Sequence, residues 1–158
     1  MMNEINIPFQ HHQSAHCESG VTSNLLYHYG LKVSEPLAFG IGSGLFFAHI
    51  PFIKVNGIPA TTYRVWPGQI FKKCMSRLDI SYTMKSFRTE KDAFDTLDQL
   101  LEQQIPVGML TSVFYLPYLP QAFRFRFNAH NIVVFFFVFN SYLVSDPVMD
   151  YTTTISKE

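Results

Sequence analysis

The chain has 158 residues, of which 47% are hydrophobic and only 15% charged, which excludes a disordered polymer. Basic and acidic residues number 12 each, so the net charge gives no electrostatic basis for binding nucleic acid or an anionic membrane. The length predicts a single domain over residues 1–158, with a short lead-in at 1–13 and no second domain. Two cysteines make no disulfide framework and the N-terminus resembles no signal peptide, so we expect a cytoplasmic protein.

The first predicted helix covers residues 15–29 and has Cys17 in its first turn. Gly30 follows as its C-terminal cap. The apolar positions on one helical face are Val21, Leu25, Leu26 and Tyr29.

The middle of the chain alternates short helices with extended segments. A helical turn at 34–39 leads into the glycine-rich loop 40–44, whose sequence GIGSG lacks the context of a dinucleotide fingerprint. The remaining predicted elements are a strand at 45–55, a turn at Asn56-Gly57, a helix at 67–78 with Pro67 in its first turn, a strand at 80–87, a helix at 90–103 capped by Thr89, and a strand at 105–113.

The last third of the chain is dominated by apolar strands. A proline-broken loop at 115–130 contains FRFRF (123–127), whose alternation predicts a half-buried strand with its arginines on the polar face. Two strands then follow at 131–139 and 142–145, joined at Asn140-Ser141, and the apolar run is too short to span a membrane. Helices first and strands last indicate an α+β fold.

The position of Cys17 has a chemical use. The partial positive charge at a helix N-terminus lowers the pKa of a thiol and favours the reactive thiolate. A nucleophilic cysteine needs a base and a group that orients the base. His130 begins one late strand and Asp146 ends its partner, so these two are the candidates. The alternative is a small buried cysteine, which is what we expect of Cys74.

Simple strand pairing does not bring the two candidates together. In a hairpin that turns at Asn140-Ser141, residues whose numbers add to about 281 would pair, which puts His130 opposite Tyr151. A bulge, a longer loop or a bend at Pro147 is required for His130 to meet Asp146.

Three segments carry a family resemblance: HCESGVTSNLLYHYG, SEPLAFGIGSGLFF, and the late AHNIVVFFFVF followed by YLVSDP. Over about residues 14–148 the chain resembles the N-terminal domain of the butirosin-biosynthesis protein H family. That family is similar to papain-like cysteine peptidases, including the bacteriocin-processing type. The resemblance implies a papain-like α+β fold in which the helix bearing the cysteine packs on an antiparallel sheet.

The resemblance also implies roles. Cys17 would be the nucleophile, His130 the base and Asp146 its orienting group. Papain-like folds place a glutamine a few residues before the cysteine to complete the oxyanion hole. Here His11 stands six residues before Cys17, so Gln10 and Gln13 are the candidates.

The function implied is cysteine-dependent acyl transfer or thioester cleavage in a biosynthetic pathway, through an acyl-Cys17 intermediate. The substrate would be an acyl thioester on coenzyme A or an acyl carrier protein, and would bring phosphopantetheine with it. No cofactor of the protein's own is expected. Arg124 and Arg126 are candidates for contacting the carrier protein or that phosphate, the alternative being that they face solvent.

Other interpretations of the function remain open. The chain is alternatively a cysteine peptidase or amidase, or an inactive papain-like module that binds a partner. The aromatic content of 16% suits an apolar substrate and equally a homodimer interface. His11, His12 and His16 lack a strong zinc spacing with other ligands, so we expect no metal site.

Overall fold

The computed structural model describes residues 5–55, 57–126 and 129–157. In chain order its elements are β1 (Ile5–Asn6), α1 (Cys17–His28), α2 (Glu35–Ile41), β2 (Leu45–Val55), β3 (Ile58–Arg64), α3 (Gln69–Arg77), α4 (Glu90–Glu102), β4 (Val107–Thr111), β5 (His130–Val138), β6 (Ser141–Ser145) and β7 (Thr153–Ser156). The predicted α+β class is confirmed. No helix among these residues is long and apolar enough to cross a membrane.

The main sheet is antiparallel and is built around β5. Strand β6 pairs with β5 and is followed by β7, while β1 and β4 also pair with β5. The strand β7 forms from a tail in which the sequence shows little pattern. Because β5 is central, it needs apolar side chains on both of its faces, which explains the uninterrupted run at 132–137.

Helix α1 packs on one face of this sheet. Val21 of α1 forms a buried cluster with Val133 and Phe135 of β5. The opposite face of β5 packs against α4. There Leu97 and Leu101 of α4 are buried in one cluster with Ile132, Val134 and Phe137 of β5. The predicted arrangement of a cysteine-bearing helix on an antiparallel sheet is therefore confirmed, and it holds the start of α1 near the start of β5.

Helices α2 and α3 complete the layer around α1. Their buried contacts include Cys74, which is fully enclosed in the core as predicted. Gly68 caps α3 with φ at +82° and has no side chain to satisfy the helix N-terminus. Glu18 of α1 supplies an acceptor instead, because its Oε1 takes the backbone N–H of Phe71 at 3.0 Å. This bond ties α3 to the residue that follows Cys17.

Strands β2 and β3 form a separate two-stranded sheet. None of the described residues between 45 and 64 belongs to the buried hydrophobic clusters, and several large apolar side chains of this sheet are exposed. The strand at 45–55 was predicted, whereas β3 was not. The predicted turn residue Asn56 lies outside the described residues.

Three predicted elements differ from the structure. Residues 80–87 form no strand, because no other described strand pairs with them, and 81–87 are exposed. Helix α3 begins at Gln69, so Pro67 is not in its first turn. The predicted FRFRF strand does not form at 123–126, where a short 3₁₀ turn (Gln121–Phe123) is followed by exposed residues outside any strand; Phe127 lies outside the described residues.

Candidate active site

Cys17 lies in the first turn of α1, as the sequence predicts, and is its first residue, two positions after the predicted start at 15. His16 precedes it as the N-cap residue in an extended conformation. The first backbone N–H groups of a helix have no intrahelical acceptor, so they present partial positive charge beside the thiol. The fold thus gives Cys17 the electrostatic environment that a thiolate requires.

A bulge and a shifted turn bring the start of β5 to the end of β6. Val138 pairs with Ser141, so the hairpin turns at Phe139 and Asn140, one residue earlier than predicted. The register shifts between Val134 and Phe136, which leaves Phe135 as an extra residue.

Beyond the bulge, the strand register brings His130 close to Asp146. Val133 pairs with Ser145 there, and one further step would place Asp146 opposite Ile132. His130 lies two residues from Ile132 on the same strand, which makes it a diagonal neighbour of Asp146. Of the three features that the sequence arithmetic allows, a bulge is therefore present.

His130 and Asp146 are joined by a hydrogen bond. Nε2 of His130 lies 2.7 Å from Oδ2 of Asp146, and both residues are buried. The same carboxylate accepts the hydroxyl of Tyr118 at 2.7 Å and the backbone N–H of Val148 at 3.2 Å. Three donors thus converge on this one buried carboxyl group. Asp146 is thus fixed as an acceptor for His130.

The thiol of Cys17 lies among residues at the start of β5. Its Sγ is 3.9 Å from the carbonyl oxygen of Ala129 and 3.9 Å from Nδ2 of Asn131. Burial raises the pKa of Cys17, but hydrogen bonds from the His130 side chain and from the Asn131 backbone outweigh it. The pKa of the thiol therefore lies below its ordinary value.

His130 has the opposite shift. Burial lowers the pKa of His130, but its hydrogen bonds to Asp146 and Cys17 and their negative charges raise it to about 9. A thiol with a lowered pKa beside an imidazole with a raised one favours a thiolate–imidazolium pair at neutral pH.

A cavity of about 320 Å³ surrounds these groups. Cys17 and His130 line it together with apolar side chains and a single arginine, Arg64 from the end of β3. The apolar lining residues are Ala15, Val113, Leu119, Phe123, Phe125, Ala129 and Val148, and His16 also lines the cavity. Phe123 and Phe125 of FRFRF thus lie at this cavity, although no strand forms at 123–126.

The glutamines predicted for the oxyanion hole lie elsewhere. Gln10 and Gln13 are both exposed, and neither lines the Cys17 cavity; Gln13 lines another cavity, of about 360 Å³. His11 binds the segment around Asp146, because its Nδ1 is 2.7 Å from the Ser145 hydroxyl and its Nε2 is 3.2 Å from the carbonyl of Met149. The position six before Cys17 therefore supports the Asp146 segment.

The predicted partner-binding arginines are exposed and do not line the cavity. The guanidinium of Arg126 lies 5.5 Å from the ring centroid of Phe114, a cation–π distance. Arg124 is exposed beside it. Both side chains lie near the chain segment that forms one wall of the cavity.

Sequence reasoning missed Tyr118 and Asn131. Tyr118 comes from the proline-broken loop, and nothing in YLPYLP distinguishes it from its neighbours. Asn131 follows His130 directly, so its polar side chain in an apolar strand was a usable signal. Within the described ranges, no group of three or more histidine, cysteine or acidic residues could hold a metal ion.

The fold has a counterpart among solved structures. The chain resembles a crystal structure from Bacillus anthracis of a protein described as a C39-like peptidase, with a TM-score of 0.64. The two share 16% identity, over 99% of this chain and 90% of that one. At this identity the likeness concerns fold alone, and it confirms the papain-like fold. No curated protein sequence matches the chain.

A family model settles the membership. The model of the butirosin biosynthesis protein H N-terminal family matches residues 16–147. That match begins beside Cys17 and ends just after Asp146, so it contains all three candidates for the site. The chain therefore belongs to the butirosin biosynthesis protein H N-terminal family.

Proposed function

We propose that this protein is a cysteine-dependent acyltransferase or thioesterase that acts on an acyl thioester through an acyl-Cys17 intermediate. One observation carries the proposal: Cys17 begins a helix and shares an apolar cavity with His130, which is bonded to a buried Asp146. The family's name connects this papain-like cysteine enzyme with biosynthesis.

The first half-reaction uses the paired charges. The Cys17 thiolate attacks the thioester carbonyl, and the C–S bond to the leaving thiol breaks after a tetrahedral intermediate. His130, held as imidazolium, gives its proton to the departing thiolate. Asp146 stabilises the charged imidazole through its bond to Nε2, which leaves Nδ1 as the ring nitrogen for the sulfur side.

The oxyanion of that intermediate needs hydrogen-bond donors. The backbone N–H of Cys17 is one candidate, because it belongs to the first turn of α1. The side-chain amide of Asn131 is the second, since its Nδ2 lies 3.9 Å from Sγ. We propose these two in place of Gln10 and Gln13.

The cavity favours an apolar or aromatic acyl group. Its lining has several apolar side chains, among them Phe123 and Phe125, and Arg64 is the one arginine among the described residues that line it. Arg64 suits an anionic group on the acyl chain or on a phosphopantetheine arm. We also propose that a carrier protein contacts the exposed Arg124 and Arg126, as the sequence suggested. In the chain these arginines are next to Phe123 and Phe125, which line the cavity.

Release of free thiol from acyl thioesters tests the proposal. We expect wild type to cleave benzoyl and short-chain acyl thioesters of N-acetylcysteamine, and Cys17→Ala to lose this activity. Cys74→Ala is the matched control, because that thiol is buried in the core and should be dispensable for chemistry. Equal cleavage by wild type and Cys17→Ala would refute the proposal.

Peptide or amide cleavage is a second candidate, favoured by the description of the structural neighbour as a C39-like peptidase. The same thiolate–imidazolium pair can attack an amide. Acyl-enzyme formation from peptide esters or amides, with none from thioesters, would support this candidate over acyl transfer.

An inactive partner-binding module is favoured by one observation, the absence of Gln10 and Gln13 from the Cys17 cavity lining. Alkylation by iodoacetamide separates this alternative from an enzyme. A catalytic Cys17 should react at neutral pH much faster than Cys74, since a lowered pKa provides more thiolate. Equal rates would favour the inactive module.

A further inference from the structure

The β2–β3 hairpin projects from the rest of the fold. Its strands contact mainly each other, and none of its described residues belongs to a buried hydrophobic cluster. An isolated two-stranded hairpin is marginally stable in water unless something packs on its apolar side chains. This one nonetheless extends over strands of eleven and seven residues. The hairpin therefore points to a partner that the described residues do not supply.

The apolar side chains at the turn end of this hairpin lie in solvent. Phe52 is 84% exposed, Ile58 69% and Ile53 48%, and we call these three residues the hairpin tip. The pairing of Val55 with Ile58 closes the turn beside them. Large apolar side chains that are grouped and exposed in this way usually mark a binding surface.

The charge around the hairpin tip has one sign. The chain is neutral as a whole, yet residues 36–78 contain no acidic residue and five basic ones: Lys54, Arg64, Lys72, Lys73 and Arg77. Lys54 is exposed beside the tip, and neither it nor Arg64 forms an ion pair with a described residue. Acidic residues lie elsewhere, for example in the first turn of α4. A partner of the hairpin should therefore be negatively charged.

A second copy of this chain does not suit the hairpin as a partner. Edge-to-edge pairing is hindered by Pro51 in β2 and Pro59 in β3, which lack a backbone donor, and by two register irregularities between the strands. Packing about a twofold axis would place one basic hairpin against another. A protein interface of ordinary size also takes about 20–30 residues from each partner, which is more than the two strands contain.

We propose that the hairpin tip inserts into the surface of an anionic lipid bilayer. Phe52, Ile53 and Ile58 enter the boundary between headgroups and acyl chains, and Lys54 keeps its ammonium group at the level of the lipid phosphates. Three apolar side chains and one lysine give a weak, reversible attachment that depends on lipid charge. Arg64, at the other end of β3, lines the Cys17 cavity, so the attachment holds that cavity about 20 Å from the lipid.

Tryptophan fluorescence tests this insertion directly. Trp66 is the only tryptophan of the chain and follows the cavity end of β3, so the double variant Phe52→Trp/Trp66→Phe moves the probe to the tip. Vesicles of phosphatidylcholine and phosphatidylglycerol in equal parts are added to each protein, with pure phosphatidylcholine vesicles as the comparison. We expect the mixed vesicles to shift the emission of the tip probe to the blue, and that of Trp66 in wild type much less. Equal shifts at the two positions would overturn insertion by the tip.

Co-sedimentation with the same vesicles tests the individual residues. We expect Phe52→Ser and Lys54→Glu each to lower the partition coefficient about tenfold or more. The matched controls, Leu37→Ser and Lys32→Glu, make the same changes at exposed positions outside the hairpin and should bind like wild type. Raising the salt concentration to about 0.5 M should weaken binding, because it screens the lipid charge.

Other partners give different results in these experiments. Failure of wild type to bind the mixed vesicles, or equal binding by Phe52→Ser, would overturn the inference. Binding to polyglutamate in place of vesicles would also overturn it and would indicate an acidic protein as the partner. A concentration-dependent dimer in sedimentation equilibrium that Phe52→Ser abolishes would indicate a second copy instead. Circular dichroism checks that each variant is folded, and the Lys54→Glu arm decides the matter if Phe52→Ser is not.

Discussion

At the scale of single residues, Asp146 decides the state of His130. It receives hydrogen bonds from Nε2 of His130, from the Tyr118 hydroxyl and from the backbone N–H of Val148. Burial and the Asp146 charge raise the pKa of Tyr118, so it remains a donor across the working range of pH. Two side-chain donors, those of His130 and Tyr118, therefore share one buried carboxyl oxygen at the site.

Asp146→Asn should narrow the active pH range from its alkaline side. The pKa of His130 is raised to about 9, so the thiolate–imidazolium pair persists in wild type until pH approaches that value. Without the carboxylate, the imidazolium is lost nearer its ordinary pKa, about 6.5. We expect thioester cleavage to fall about 100-fold or more at neutral pH, and its alkaline limb to move down.

The control for this change is Asp150→Asn, since Asp150 is exposed nearby. The pH profile of kcat/KM checks both variants. Because Cys17 and His130 titrate as a coupled pair, the limbs belong to the pair rather than to either residue. An Asp146→Asn variant with the wild-type alkaline limb would contradict the role assigned to Asp146.

At the scale of elements, the site depends on how closely α1 approaches the segment after β6. Gly20 lies on α1, and a Cβ there would be 2.6 Å from Cβ of Pro147 and 2.8 Å from Cβ of Ser14. The backbone N–H of Ser14 also donates to the carbonyl of Pro147 at 2.6 Å. A missing side chain thus lets the lead-in, the helix and the Asp146 segment meet.

Gly20→Ala should therefore disturb both stability and chemistry. The added methyl must displace Pro147, which follows Asp146, and overpacking of this kind costs about 1–3 kcal/mol. We expect a lower free energy of unfolding in urea, and thioester cleavage that falls further than Cys17 alkylation does.

Gly40→Ala is its counterpart, because a Cβ there meets nothing within 4 Å. A helical glycine replaced without strain should leave stability unchanged or raise it by about 0.4–1 kcal/mol. Equal effects of the two substitutions would contradict the close-packing argument.

The elements also show what the sequence could and could not predict. Cys17 at a helix start follows from local pattern, since a polar run meets an amphipathic one and Gly30 ends it. The His130–Asp146 bond depends on the turn at Phe139, which takes φ of +54°, and on the bulge at Phe135. Phenylalanine is not a typical turn residue, so the register of the β5–β6 hairpin could not be predicted from the local sequence. FRFRF alternates like a strand, but its described residues, 123–126, form none.

At the scale of the whole molecule, the buried core and the exposed apolar side chains lie in different parts of the fold. The core lies where α1 and α4 pack on the main sheet, and Leu101 there is fully buried. The β2–β3 hairpin lies outside the buried clusters, and its Phe52 is 84% exposed. The hairpin nonetheless reaches the site, because Arg64 at its end lines the Cys17 cavity.

This division predicts unequal effects of similar truncations. Leu101→Ala should lower the free energy of unfolding by about 2–5 kcal/mol, because it leaves a cavity in the core. Phe52→Ala should change it by less than about 0.5 kcal/mol, since the ring is already in solvent. Urea denaturation measures both, and a large loss from Phe52→Ala would show that the hairpin is packed.

The most direct test of the central claim is to find the acyl group on the protein. Wild type, Cys17→Ala and Cys74→Ala are incubated with a panel of acyl thioesters, and intact mass is followed by fragmentation of proteolytic peptides. We expect wild type and Cys74→Ala to gain one acyl mass located on Cys17, and Cys17→Ala to gain none. An adduct that persists in Cys17→Ala, or no adduct on wild type with any thioester, would contradict an acyl-Cys17 intermediate.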